Sequence, residues 1–342
     1  MSHRTVDDTA VDSMAADATA APSMHNAQPW RLTYSRGAGM FTLRADHDRT
    51  MPAADPTTRA LHIGCGAALF NLRVSAAHLG LSPSTALLPV PSDPALLAHV
   101  HLHGTTGGGP GGAPGPPRTA ADTGLRELHG AIRERHTSRY PFDDDLPVPP
   151  EVRGLLGEAA RLEGAHFSFL SATHLETVRD LVRDAEGYDR GDPAREGEQR
   201  HWTRNTHHEA PVDGVPDYAF GPADASGRAV NRDFAGTTPV PGRARVLFED
   251  RPQLAVLSTT ADRPAAWLRA GQALERVLLT ATLHGVASSF LTQPLEWDDL
   301  RWLLREPVLG KGHAQMVLRL GYGPAGPRTP RRPVRDILTI TP

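Results

Sequence analysis

Two stretches of this chain, "TTRALHIGCGAALFNLRVSAAHLG" ending at Gly80 and "DRPAAWLRAGQALERVLLTATLHG" ending at Gly285, can be laid on one another, and any fold must accommodate both. Aligning the terminal glycines also pairs Gly66 with Gly271, Ala68 with Ala273, Leu69 with Leu274 and Ala76 with Ala281. Both read as helices from their ends: Asp55-Pro56 opens one, Asp262 opens the other, and a glycine closes each. A glycine inside a helix costs about 1 kcal/mol relative to alanine. Close approach of two backbones compensates for it, so Gly66 and Gly271 mark the expected crossing of two long helices. A Ser-containing segment and a similar strand follow each helix, "LLAHVHLHG" in one case and "AQMVLRLG" in the other. A duplicated unit accounts for the repetition more simply than chance similarity does.

The rest of the chain divides around that duplication. Residues 104–118 are almost entirely Gly, Pro, Thr and Ala, a composition that cannot bury apolar surface and reads as a linker. It separates a first half, 21–103, from a second, 119–342. The first also carries the alternating strand "MFTLRAD"; the second carries "TGLRELHGAIRERHTS" and "LPVPPEVRGLLGEAARL" as helices, "HFSFLSA" as a strand and "HLETVRDLVRDAEGY" as a helix. Residues 187–245 lack periodicity and read as a long insertion. Residues 1–20, with Asp7, Asp8, Asp12 and Asp17 and no apolar middle region of a secretion signal, read as a disordered leader.

Composition excludes several classes. An apolar fraction of 39% in 342 residues supports a real core, and 36 Lys+Arg against 39 Asp+Glu leave nothing to attract a polyanion broadly, so nucleic acid is not an expected partner. The single cysteine, Cys65, cannot form an internal disulfide and reads as a packing residue. No apolar run reaches the roughly 20 residues of a membrane span, and a cytoplasmic protein is expected.

Chemistry-bearing residues cluster in three places. "APSMHNAQPW" (21–30) sets Ser23, Met24, His25, Asn26 and Gln28 between two prolines, a stiff loop presenting polar groups, and then Trp30 opens a strand as a core residue. "RERHTSRYPF" (133–142) places Arg135, His136, Thr137 and Arg139 at and beyond a helix end, which suits either a solvated face or a phosphate clamp. "TPRRPVRDIL" puts Arg331 and Arg332 between prolines near the other end. His99, His101 and His103 share one strand face but have no acidic or Cys ligand beside them, and "THHEAP" lacks metalloprotease spacing, so no metal is expected. Neither a Walker motif nor a dinucleotide-binding glycine fingerprint occurs.

Taken in order, "APSMHNAQPW", "AIRERHTSRYPF", "LRAGQALERVLLTATLHGVASSFLTQPLE" and "MVLRLGYGPAGPRTPRRPVRDIL" resemble the FMN-dependent nitroreductase superfamily, and more narrowly its Acg-type oxidoreductases, over nearly the whole chain from about residue 20. The resemblance implies an α+β, nitroreductase-like fold made of two fused halves, an intramolecular pseudo-dimer with long central helices and antiparallel-rich sheets. It implies FMN as cofactor, its phosphate held by Arg135, Thr137, Arg139 and Arg331, with Arg332 as a further cofactor-binding residue. Ser23, Asn26 and Gln28 would face the isoalloxazine, whose pyrimidine edge alternates donors and acceptors as amides do, and Met24, His25 and Ser289 would also bind the cofactor. His136 stands where the family run has a second Arg.

The fusion has a direct consequence. Residues 1–20 hold only Arg4, so the first half has no arginine run ahead of its loop, while the second half reads "AARLEGAHFSFL" where a loop would be. Each half keeps the complementary part of one site, and one FMN per chain is expected, in a monomeric pseudo-dimer or weak homodimer. NADH or NADPH would be the donor, a flat electron-poor acceptor such as a nitroarene or quinone would take the electrons, and no side chain need be a general acid. The alternative is an FMN-sequestering protein whose insertion, carrying Trp202, Tyr218 and Phe220, covers the flavin with little turnover.

Overall fold

The computed structural model describes residues 6–104, 120–206, 210–236, 240–304 and 312–342. A pattern of helix, two strands, helix and two strands occurs twice. The first copy runs α1 (Asp8–Thr19), β1 (Trp30–Ser35), β2 (Met40–Ala45), α2 (Arg59–His78), β3 (Leu81–Leu87) and β4 (Leu96–Gly104). After the short α3 (Ala131–Glu134), the second begins with α4 (Pro150–Leu162) and β5 (His166–Phe169). It is interrupted by α5 (Ala172–Gly191), α6 (Pro193–His201) and four two-residue strands, β6 (Thr203–Arg204), β7 (Val215–Pro216), β8 (Ala223–Asp224) and β9 (Arg245–Val246). It resumes with β10 (Gln253–Thr259), α7 (Pro264–Leu283), β11 (Ala287–Phe290), α8 (Asp298–Leu303) and β12 (His313–Gly321), and β13 (Leu338–Thr341) follows.

The two sheets repeat one order, β1-β2-β4-β3 and β5-β10-β12-β11, with every pairing antiparallel. The exception is β13, which leaves the second copy and adds in parallel to β1, Leu32 opposite Leu338. That exchange carries the arginines ahead of β13 back to the first half.

The two long helices cross at the paired glycines. A methyl on Gly66 would overlap the Leu268 carbonyl, and one on Gly271 the Ile63 carbonyl, so only glycine permits this approach at either position. The helix ends differ slightly from expectation: α2 starts at Arg59, and Asp55 caps it from outside, accepting from Ala60 N and Leu61 N, both at 2.9 Å. By length and composition α2 is apolar enough to cross a membrane, contrary to the expectation that no stretch is, but 89% of its most apolar window is buried inside the protein. It is a core helix enclosed on all sides.

Residues 8–19 are not a disordered leader. Asp7 Oδ1 accepts from Ala10 N at 2.7 Å to start α1, and Val11, Met14, Ala15 and Ala18 bury one helical stripe in the first half's core. The acidic composition concealed that i, i+3, i+4, i+7 spacing. Asp17 is buried too, and accepts from Arg133 (2.7 Å), Ser75 Oγ (2.8 Å) and the His129 ring (3.0 Å), tying α1 to α2 and to the approach to α3.

The helix expected through "TGLRELHGAIRERHTS" is broken into a 3-10 turn, Arg126–Leu128, and α3, with Gly130 between them; Leu125, Leu128 and Ile132 nevertheless bury together with Phe70 and Leu279. The insertion starts directly after β5, earlier than its composition suggests, and α6 inside it is capped by Asp192, which accepts from Ala194 N at 2.9 Å. Trp30 is fully buried, and Cys65 Sγ donates to Pro29 O at 3.2 Å, burial pushing its thiol up. His103 Nε2 lies 2.9 Å from Ser84 Oγ, and among the described residues no group of three His, Cys, Asp or Glu side chains could hold a metal. The Gly/Pro segment beyond Gly104, and His207, His208 and Glu209, lie outside the described residues.

Candidate functional site

The loop between α1 and β1 holds three non-glycine residues in the left-handed region: His25 (φ 47°), Asn26 (φ 56°) and Gln28 (φ 53°). Such a backbone is unfavourable by about 1–3 kcal/mol per residue and persists only where surrounding bonds enforce it. Here Ser23 Oγ accepts from Gln28 N at 2.9 Å, and Asn26 Nδ2 donates to Gly214 O and Pro330 O, both at 3.0 Å. Gln28 Nε2 donates to Val212 O at 3.0 Å, and its Oε1 accepts from Arg332 N at 2.8 Å.

These bonds revise the roles expected for two residues. Gln28 is fully buried behind the loop, outside the cavity wall, and its amide is spent on the insertion and on the segment leading to β13. Arg332 also stays outside the cavity, donating to Gln28 O and pairing with Asp46, both at 3.2 Å. Asn26 does reach the cavity, but its donors are committed and its Oδ1 accepts from Arg331 Nη1 at 3.0 Å.

Beyond α3 the arginine run leaves the helix and lies along β11. Thr137 pairs in parallel with Ser288, and Ser138 N donates to Ser288 O at 2.8 Å. In extended chain alternate residues share a face, and Arg135, Thr137 and Arg139 all reach the cavity wall. Arg135 Nη2 donates to Ala20 O at 3.2 Å, while its Nε and Nη1 are buried without a hydrogen-bond partner among the described residues. Glu275, fully buried on α7, lies 3.6 Å from that Nε. Arg331 Nη2 donates to the same Ala20 carbonyl at 3.0 Å, and its Nε is likewise unmet. Burial, then the neighbouring charge of Arg135, pushes the Arg331 guanidinium down to about 9. Arg139 donates to Ala219 O at 2.9 Å, sits 4.8 Å over the Phe234 ring, and is pushed down to about 10 by burial. His136 also lines the cavity; burial first, then Arg135, pushes it down to about 4, so it is neutral at pH 7.

The cavity, about 1130 Å³ with its open mouth included, gathers residues from both halves. Ser23, Met24, His25 and Asn26 come from the first; Arg135, Thr137, Arg139, Ser289 and Arg331 come from the second. The equivalent place in the second half, between α4 and β5, is only residues 163–165 and has no room for such a loop. Arg135 Nη1 and Arg331 Nε, buried without a hydrogen-bond partner among the described residues, and Arg135 Nε, which faces Glu275, stand beside one carbonyl, and this donor set fits a phosphate monoester.

Several wall residues were not singled out from sequence. Arg59 donates to Gln315 O at 2.7 Å and Leu295 O at 3.2 Å. Asn231, Arg232 and Phe234 come from the insertion, and Arg232 pairs with Glu296 at 2.7 Å. Of the bulky insertion residues expected over the site, Trp202 packs under the loop with Ala27 and Met51, Phe220 stands behind Phe234, and Tyr218 is 48% exposed. Composition marked the insertion but gave no period from which to choose Phe234.

No family model matches the chain. It is 31% identical over 330 residues, 94% of this chain and 88% of the other, to the Mycobacterium tuberculosis protein named "Putative NAD(P)H nitroreductase Rv3131". It is 28% identical over 329 residues, 94% of this chain and 92% of the other, to that organism's "Putative NAD(P)H nitroreductase acg". Among solved structures, a nitroreductase with bound FMN from Desulfitobacterium hafniense superposes with a TM-score of 0.39 at 17% identity, over 64% of this chain and 99% of that one.

Proposed function

The chain belongs to the Acg-type branch of the nitroreductase superfamily, and we propose that it is a cytoplasmic FMN-dependent NAD(P)H oxidoreductase with one FMN per chain and a flat, electron-poor acceptor. The observation that carries this reading is the convergence of Arg135 and Arg331 on Ala20 O, with N–H groups left over for an anion. When bound, FMN would supply hydride exchange at N5, and the protein's part is to bind, orient and shield. Arg135 and Arg331 take the phosphate, Thr137 adds a hydroxyl, and Ser23, whose oxygen already accepts from Gln28 N, keeps its O–H to donate. Arg139 is fixed by Ala219 O and the Phe234 ring, which supports a role in holding the ligand under the insertion.

The purified protein tests this through its visible spectrum. A flavin signature near one per chain that bleaches on adding NADPH and recovers with a quinone or nitroarene supports the reading; a colourless protein that takes up no FMN overturns it.

A second reading, sequestration of FMN with little turnover, is favoured by the insertion's own contribution to the wall. Arg232 on that segment is held by Glu296 at 2.7 Å and Asp189 at 3.5 Å, all largely buried. Under this reading NADPH bleaches the flavin slowly in the native chain and quickly once the latch is loosened by Glu296→Gln. Equal rates in both would count against it.

A further inference from the structure

Asn231 reaches the cavity from the insertion, and neither end of its amide is used. Its Nδ2 and Oδ1 are both buried, and neither has a hydrogen-bond partner among the described residues. Buried polar groups are ordinarily paired, so an amide unmet at both ends in a cavity wall points to a ligand.

The segment that carries it is fixed on both sides. Val230 is buried in the second half's core and its carbonyl accepts from Gln293 Nε2 at 3.4 Å, while Arg232 is ion-paired to Glu296 and Asp189. Phe234 stands edge-on to His25, ring centres 5.3 Å apart. His25 in the same wall is likewise unmet: both ring nitrogens are buried without a hydrogen-bond partner among the described residues, and burial together with Arg232, Arg139 and Arg195 keeps the imidazole neutral. By contrast, Asn26 and Gln28, the amides the sequence offers first, are consumed by internal bonds.

An amide presents an N–H donor and a C=O acceptor in one plane, so its complement is a C=O beside an N–H. We propose that Asn231 reads an amide-type edge of the molecule bound in this cavity, donating from Nδ2 to its carbonyl and accepting at Oδ1 from its N–H. The inference rests on the FMN reading. The same chemistry has two sources there, the imide of a flavin's pyrimidine ring and the carboxamide of a nicotinamide.

The experiment compares wild type with Asn231→Ala and the near-isosteric Asn231→Asp, which keeps the acceptor but loses the donor. The probes are FMN, lumichrome (the imide-bearing ring without ribityl phosphate), NADPH and its 3-acetylpyridine analogue, which lacks the carboxamide N–H. If the edge is the imide, both variants lose tenfold or more in lumichrome and FMN affinity, while inorganic phosphate binding stays unchanged. If it is the carboxamide, FMN and lumichrome affinities hold and KM for NADPH rises tenfold, with a smaller rise for the analogue, which keeps the carbonyl that Nδ2 donates to and lacks only the N–H. Either pattern supports the proposal. Affinities and KM all within twofold of wild type overturn it, as does a parallel loss of phosphate binding in Asn231→Asp, which would mark a folding defect instead of lost recognition. Wild type that binds FMN with unaffected variants sinks only this inference; wild type that binds none of the probes sinks the FMN reading with it.

Discussion

Arg135 and Arg331, far apart in the chain, donate to one acceptor, the Ala20 carbonyl, at 3.2 and 3.0 Å. Two guanidiniums held side by side repel, and the buried Glu275 carboxyl beside Arg135 Nε, itself pushed up to about 7, offsets them only in part; Arg135 Nη1 and Arg331 Nε, without a hydrogen-bond partner among the described residues, leave room for a further anion. The carbonyl itself ends α1, the segment whose composition suggested disorder.

Removing either arginine should therefore act on the phosphate and leave the ring alone. Charge-assisted hydrogen bonds contribute about 1.5–3 kcal/mol each, so Arg135→Ala or Arg331→Ala should weaken FMN by roughly tenfold to a hundredfold while riboflavin, which lacks the phosphate, is unaffected. Fluorescence titration with both ligands decides it, and an equal loss for the two would refute the assignment.

Glu275 gives the site a pH dependence. Burial raises its carboxyl to about 7 from an ordinary 4.5, against the opposing pull of Arg135, the Asn71 amide and Arg331. Below 4.5 the group is protonated in both folded and unfolded chains. Between 4.5 and 7 the unfolded chain releases the proton and the folded one keeps it, so stability falls as pH rises through that window, by about 3 kcal/mol in all. Glu275→Gln should remove this component: its denaturation midpoint relative to wild type should climb from pH 4.5 to pH 8, and a flat difference would show that the carboxyl does not titrate there.

The helix crossing permits a sharper contrast. Gly66→Ala or Gly271→Ala forces a methyl into a facing carbonyl and should destabilise by about 1–3 kcal/mol or more. Gly154 lies on an exposed turn of α4 with nothing near its would-be Cβ, and Gly154→Ala should stabilise by about 0.5–1 kcal/mol. Urea unfolding of the three variants measures both signs; a tolerated Gly271→Ala would mean that the helices can move apart.

Asp17→Asn strips a buried charge from Arg133, His129 and Ser75. Breaking a buried pair from one side costs about 3–5 kcal/mol, reduced here because Arg133 is half-exposed. The expected result is a loss of about 2 kcal/mol in chemical denaturation together with weaker FMN binding, since α1 delivers Ala20. Deleting residues 1–20 should abolish FMN binding; a truncated chain that binds normally would return this segment to the status of a dispensable tail.

Much of this was legible because it is periodic or local. Gly66 and Gly271 announced the crossing, since a glycine in a helix interior needs a close neighbour to be tolerated. The arginine run and the loop from Pro22 to Pro29 were visible as clusters, and most of their members do meet in one cavity. Residues 8–19 read as disordered because three aspartates mask the apolar stripe, and the insertion holds no period that could rank Phe234 or Asn231 above Trp202 and Tyr218.

What the sequence determined by itself was the repeat, the long helices and the residue types at the site, because backbone propensity and side-chain chemistry are properties of short segments. Which amides are spent and which stay free was decided only by tertiary structure. Gln28 met Val212 O and Arg332 N, Asn26 met Gly214 O and Pro330 O, and Asn231 met no hydrogen-bond partner among the described residues. A hydrogen-bonding group is satisfied by whatever the fold brings within about 3 Å of it, and for these residues nearly all of the partners come from segments distant in the chain.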